Sequence, residues 1–166
     1  MHGPFDSRHP LTSLVDEAAR LHGRLKSAYA SAWRSAGLNE SEAMVLTAVI
    51  EADRLPTVPQ IGRSLGHSRQ LIQRAVNALI ERGLVGTLSN PDHKRAVLLR
   101  GTESGLALKR RIDTAADQIA NSLAAGVDLD TVRGAAGLLR IVRKQFEARL
   151  RQGDGEDSDV GDHTQS

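Results

Sequence analysis

The chain has 166 residues, 40% of them hydrophobic, with 22 Lys and Arg against 20 Asp and Glu. That suits one compact domain with extra helices and excludes a wholly disordered chain. Cysteine is absent, which excludes structural disulfides, thiolate metal sites and thiol redox switches. No apolar run approaches the ~18 residues of a bilayer span and nothing resembles a signal peptide, so a soluble, cytoplasmic protein is the expectation.

The net charge of +2 hides an asymmetry. Five of the 20 acids (Asp154, Glu156, Asp157, Asp159 and Asp162) fall in a C-terminal tail without Lys or Arg, leaving 15 acids against 22 bases elsewhere. Between residues 63 and 100 the bases are Arg63, Arg69, Arg74, Arg82, Lys94, Arg95 and Arg100, against only Glu81 and Asp92. Such a local excess suits a polyanionic partner.

Residues 1–10 carry Gly, Pro and His without periodicity and read as a flexible arm. From residue 11, Leu14, Ala18, Leu21, Leu25, Ala28 and Ala32 recur every three or four residues, as in an amphipathic helix. Thr12 or Ser13 is the expected cap, with Asp16 and Glu17 near the positive end and Gly37 as the stop. A second helix starts at Asn39-Glu40-Ser41-Glu42 and buries Ala43, Leu46, Val49 and Ile50. After Leu55-Pro56, Thr57 caps a short third helix with Pro59 in its first turn and Ile61 and Leu65 facing inward. Gly66 ends it.

Ser68 caps the fourth helix, whose apolar face is Leu71, Ile72, Ala75, Val76, Leu79 and Ile80. Its opposite face, Arg69, Gln70, Gln73, Arg74 and Asn77, contains no acid. Gly83 closes it. Two apolar runs, 84–88 and 96–99, follow on either side of Ser89-Asn90-Pro91-Asp92-His93-Lys94-Arg95 and read as a hairpin with a basic tip. Thr102 then caps a helix with Leu106, Ile112, Ala116, Ile119 and Leu123 on its stripe, and residues 128–151 form a last helix carrying Leu129, Val132, Leu138, Leu139, Val142, Phe146 and Leu150.

The expected fold is mainly α: a winged helix-turn-helix module with a two-stranded wing, flanked by N- and C-terminal dimerisation helices. Its segments are an arm over 1–10, a dimerisation helix over 11–37, the DNA-binding module over 38–101, dimerisation helices over 102–151 and a disordered acidic tail over 152–166. Apolar stripes on both flanks are too long for a ~60-residue module to cover. They point to burial against a second copy, with an intramolecular bundle as the alternative.

DNA's major groove admits one helix, whose first turns touch base edges. Arg69, Gln70, Gln73, Arg74 and Asn77 supply the donors and acceptors for that role. Ser68 and the free N–H groups at the helix start suit a phosphate, as do Arg63, His67 and, less directly, Arg82. Lys94 and Arg95 project from the hairpin tip, where a guanidinium fits a narrow minor groove. No Gly-rich phosphate loop, nucleophile motif or carboxylate pair appears, and the six histidines have no metal-ligand spacing. Neither an enzyme, a cofactor nor a metal is expected. The alternative function is a winged-helix architectural or protein-binding module without a specific operator.

Glu81-Arg82-Gly83-Leu84-Val85, then Asn90-Pro91-Asp92-His93-Lys94-Arg95-Ala96-Val97-Leu98-Leu99, then Thr102-Glu103-Ser104-Gly105 together resemble the multiple-antibiotic-resistance regulator (MarR) family, and the element order matches it from about residue 11 to 151. The resemblance implies a homodimeric winged-helix transcription factor acting on a pseudo-palindromic operator, in most members a repressor and in many responsive to small anionic or aromatic ligands. It assigns Arg95 as the minor-groove wing arginine. His93 stands where the family has an Asp, leaving Asp92 as the substitute carboxylate. Gly101 replaces a leucine, and Thr87 a commonly basic residue. A ligand pocket would lie where the first helix meets the DNA-binding module and the last two helices, with His22, Tyr29, Trp33 and Arg34 as its first-helix side chains.

Overall fold

The computed structural model describes residues 8–91 and 96–156, with side chains to Arg149. In chain order the elements are α1 (Pro10–Arg34), α2 (Glu40–Ile50), α3 (Val58–Leu65), α4 (Arg69–Glu81), β1 (Val85–Leu88), β2 (Leu98–Gly101), α5 (Glu103–Leu123) and α6 (Leu129–Glu156). The chain divides into two compact units, 1–120 and 121–166.

Local signals set most of the boundaries. At α2 the Asn39 carboxamide accepts the Glu42 N–H at 2.9 Å while the Glu42 carboxylate accepts the Asn39 N–H at 3.1 Å, a reciprocal cap that satisfies two end groups at once. Gln60 Oε1 accepts from both the N–H and the hydroxyl of Thr57 at the head of α3. Ser68 Oγ accepts the Leu71 N–H at 3.3 Å and starts α4. The turn between α3 and α4 is made by Gly66, which takes φ +67 while His67 N–H returns to the Gly62 carbonyl. A side chain there would be strained.

The start of α1 differs from expectation. His9, rather than Thr12 or Ser13, is the cap: its Nδ1 accepts the Leu11 N–H at 3.2 Å and Pro10 occupies the first turn. Proline's fixed φ favours that position and moves the start upstream of the apolar stripe. Asp16 and Glu17 thereby lie beyond the first turn and pair with Arg8 and Arg20 instead.

The core of the first unit lies among α2, α3, α4 and the hairpin. Val45, Leu46, Ile72, Val76, Leu79, Val85 and Leu99 are almost completely withdrawn from solvent. β1 and β2 pair antiparallel, Val85 opposite Gly101 and Leu88 opposite Leu98. The second strand is thus 98–101, not the apolar run 96–99: register, set by the short β1, leaves Ala96 and Val97 beyond the ladder and recruits Arg100 and Gly101 into it. The Leu99 N–H also donates to the Pro56 carbonyl at 2.8 Å, so the segment before α3 is tied to the wing's second strand. At Gly101 a Cβ would lie 2.8 Å from Ile50 Cγ1, so any larger residue would need Ile50 to shift. Ile50 of α2 fills the space into which a larger residue would project.

Thr102 joins the wing to α5. Its hydroxyl donates to the Gly83 carbonyl at 2.7 Å and accepts the Gly105 N–H at 3.0 Å. A Cβ on Gly105 would lie 2.0 Å from the Leu84 carbonyl oxygen, so only glycine allows this approach. One turn further along α5, Lys109 is buried with its ammonium held by Glu51 at 2.7 Å and by Asp113 at 2.6 Å. Burial pushes its pKa down, but the hydrogen bonds to Asp113 and Glu51 outweigh that and leave it above the ordinary lysine value.

Most of the α1 stripe is not covered within the chain. Leu21 is 52% and Leu25 42% exposed, while Ala30 and Ala32 are buried. In the second unit, α6 runs past residue 151 to Glu156. The Asp128 carboxylate, which accepts from the Thr131 hydroxyl and from the Asp130 and Thr131 N–H groups, starts it and is held below the usual carboxylate range by those bonds. Leu138 and Phe146 on α6 are exposed. No helix among the described residues is long and apolar enough to cross a membrane.

Candidate nucleic-acid interface

The geometry of α4 follows from its spacing. At ~100° per residue, Arg69, Gln73, Asn77, Gln70 and Arg74 fall at about 0, 40, 80, 100 and 140° around the axis. The buried Ile72, Ala75, Val76 and Leu79 occupy about 240–340°. One face is therefore locked into the core and the other presents five exposed polar side chains over about 12 Å of helix. The first acid on that arc is Glu81, the last residue of the helix.

Within this face Gln73 Nε2 donates to Asn77 Oδ1 at 2.9 Å. The bond uses one of the two Gln73 amide hydrogens and leaves its second hydrogen and its carbonyl oxygen, the pair that matches adenine N7 and N6. Asn77 thus restrains the Gln73 rotamer while the Gln73 carbonyl oxygen is left out of the bond. The two arginines diverge. Arg69 faces a cleft of about 1110 Å³ that it shares with Arg63, Arg54 and the base of the wing. Arg74 lines a crevice of about 350 Å³ beside Asn39, Glu40 and Glu42 at the head of α2. They frame the polar face from opposite flanks.

Arg63, in the last turn of α3, and His67, in the turn before α4, are exposed next to this face. Arg82 has partners within the chain. Its guanidinium donates to the Gly37 carbonyl at 2.9 Å and pairs with Glu42 at 3.3 Å, tying the end of α4 to the α1–α2 turn. Lys94 and Arg95, with Asp92 and His93, lie outside the described residues. Arg54, which the sequence does not single out, precedes the helix-turn-helix in a loop without periodicity. Its one signal was an arginine next to the Leu55-Pro56 break.

Of the four first-helix candidates for a ligand, Trp33 and Arg34 line a cleft of about 830 Å³ between α1 and the start of α2, together with Lys26, Glu40, Glu42 and Arg82. Lys26 and Glu40 are paired there at 2.8 Å. Tyr29 is half-buried and His22 exposed, and neither lines that cleft.

A helix-turn-helix backed by a two-stranded wing defines the class: this is a winged-helix protein. Residues 36–96 match the family model described as the MarR family. An uncharacterized protein of Mycobacterium tuberculosis is 33% identical over 130 residues, spanning 78% of this chain and 90% of its own. Among solved structures, a MarR-family transcriptional regulator from Rhodococcus sp. RHA1 matches with a TM-score of 0.72 at 22% identity, covering 82% of this chain and 96% of that one. CouR from Rhodococcus jostii RHA1, bound to p-coumaroyl-CoA, matches at 0.68 and 22%, with the same coverage. A mutant MarR from E. coli complexed with operator DNA matches at 0.64 and 20%, over 85% of this chain and 99% of that one. The match over residues 36–96 assigns the winged-helix segment to the MarR family, and the chain shares the fold of MarR-family structures.

Proposed function

We propose that the protein is a sequence-specific DNA-binding repressor, acting as a homodimer on a pseudo-palindromic operator and released by a small anionic or aromatic ligand. The observation that carries this reading is the arc of α4: five exposed polar side chains without an acid among them, on a helix whose other face is fixed in the core. Arg69, Gln70, Gln73, Arg74 and Asn77 read base edges in the major groove. Ser68, Arg63 and His67 hold phosphates and set the register. Lys94 and Arg95 enter the adjacent minor groove. The E. coli MarR–operator complex supports duplex DNA as the partner class, and the CouR complex with p-coumaroyl-CoA supports a ligand with an aromatic and an anionic part. Trp33 and Arg34 meet such a ligand in the α1–α2 cleft. The ligand acts by favouring a dimer whose two reading helices are wrongly spaced for DNA.

Genome-wide mapping of bound sites, followed by titration of the recovered sequence against random duplex, tests the reading. The bound sites share a two-fold element, and the operator is preferred by about 10³ or more at physiological salt. Equal affinity for operator and random duplex refutes the regulator and leaves the architectural alternative.

A further inference from the structure

Three arginines from three separate segments meet at one cleft: Arg54 from the loop after α2, Arg63 from the end of α3 and Arg69 from the start of α4. Asp53 is the single carboxylate among the described residues that line it. Among the described residues no carboxylate pairs with any of the three guanidiniums, whereas Lys26 and Arg82 are each held by one carboxylate and Lys109 by two. Three unpaired guanidiniums against one carboxylate leave a local positive excess at the cleft, and such an excess attracts an external anion.

The cleft is also built rather than incidental. Two residues after Arg54, the buried Pro56 accepts the Leu99 N–H at 2.8 Å, and Thr57 is held by Gln60. The segment that follows Arg54 is therefore anchored both to the wing and to α3. Arg69 stands at the edge of the α4 arc, so the cleft flanks the reading face without lying on it. That position, next to a helix in a groove, is where a sugar–phosphate strand runs.

We propose that Arg54, with Arg63 and Arg69, forms a receptor for a backbone phosphate of duplex DNA, and that Arg54 is a DNA-positioning residue of this protein. The proposal rests on the DNA-binding reading above. A phosphodiester is favoured over a free phosphate ion because the cleft is continuous, through Arg69, with the base-reading face and is far larger than one ion.

Fluorescence-anisotropy titrations over a salt series test it, using the full chain, Arg54→Gln, Arg54→Lys and, as an exposed control on α5, Arg110→Gln. Arg54→Gln weakens operator and random duplex alike, by roughly tenfold, and lowers the slope of log affinity against log salt by about one. Arg54→Lys keeps the slope, Arg110→Gln matches the parent, and all variants keep the parental circular dichroism. A parent that binds no duplex overturns this proposal together with the reading it rests on. A parent that binds, with Arg54→Gln unchanged in affinity and slope, overturns the receptor alone. Loss confined to the operator with an unchanged slope makes Arg54 a base contact and also overturns it. So does protection from thermal unfolding by inorganic phosphate that requires Arg54 while the duplex slope is unaffected by its loss.

Discussion

Asn77 and Gln73 illustrate how one side chain prepares another. The 2.9 Å bond between their carboxamides fixes a Gln that would otherwise lose rotamer freedom on binding, at ~1–2 kcal/mol. Asn77→Ala is therefore expected to lower discrimination at the base pair read by Gln73 by about three- to tenfold, while random-duplex affinity stays unchanged. Competition titrations with single-base-pair operator variants measure this; an equal loss on every sequence makes Asn77 a phosphate contact. Arg82 shows the reverse lesson. Beside an acid-poor helix it reads as a DNA contact, yet its partners Gly37 and Glu42 are 45 and 40 residues away in sequence. No pattern local to α4 contains them.

At the scale of elements, the buried Lys109 couples α5 to the end of α2 through Glu51. Both carboxylates are half-exposed and regain water when the ammonium is removed, so Lys109→Met costs about 1–2 kcal/mol rather than the larger cost of orphaning a buried charge. The pH dependence has a definite sign. A lysine whose folded pKa is raised contributes stability that is fully present below the ordinary lysine value of 10.5. That contribution is lost as pH rises through the higher folded value. Urea midpoints are expected to hold through neutral pH and fall above about pH 10.5, with that part of the fall absent in Lys109→Met. A parallel fall in both proteins removes Lys109 as its cause. The wing carries a related element-level constraint. The apolar run 96–99 looked like a strand, but pairing with Val85–Leu88 shifts the ladder to Leu98–Gly101, and Ile50 occupies the space at Gly101. Strand register is decided by the partner strand.

For the whole molecule, the exposed apolar residues are the principal clue to assembly. Leu21 and Leu25 on α1, and separately Leu138, Leu139, Ile141 and Phe146 on α6, leave apolar surface that a monomer does not cover. The proposed homodimer would bury it and set two copies of α4 one turn of DNA apart. Leu138→Glu, at a position 66% exposed in the chain, is expected to retain the parental helical signal while shifting sedimentation from dimer to monomer and losing operator binding. A variant that remains dimeric and binds normally removes this part of α6 from the interface.

Much of this protein was legible in its sequence because the relevant physics is short-ranged. The caps at Asn39, Thr57 and Ser68, the left-handed turns at Gly66 and Gly83 and the divided faces of α4 depend on residues three to five apart. Sequence alone therefore determined the helix-turn-helix, the acid-free polar arc of α4 and the family pattern around the wing. Tertiary structure decided what depends on distant partners: that Arg82 is occupied by the α1–α2 turn, that Lys109 is a buried tie, that the wing strand begins at Leu98, and that Arg54 shares a cleft with Arg63 and Arg69. Sequence separation bears no fixed relation to distance once the chain packs, so these roles became visible only when the core had brought the segments together.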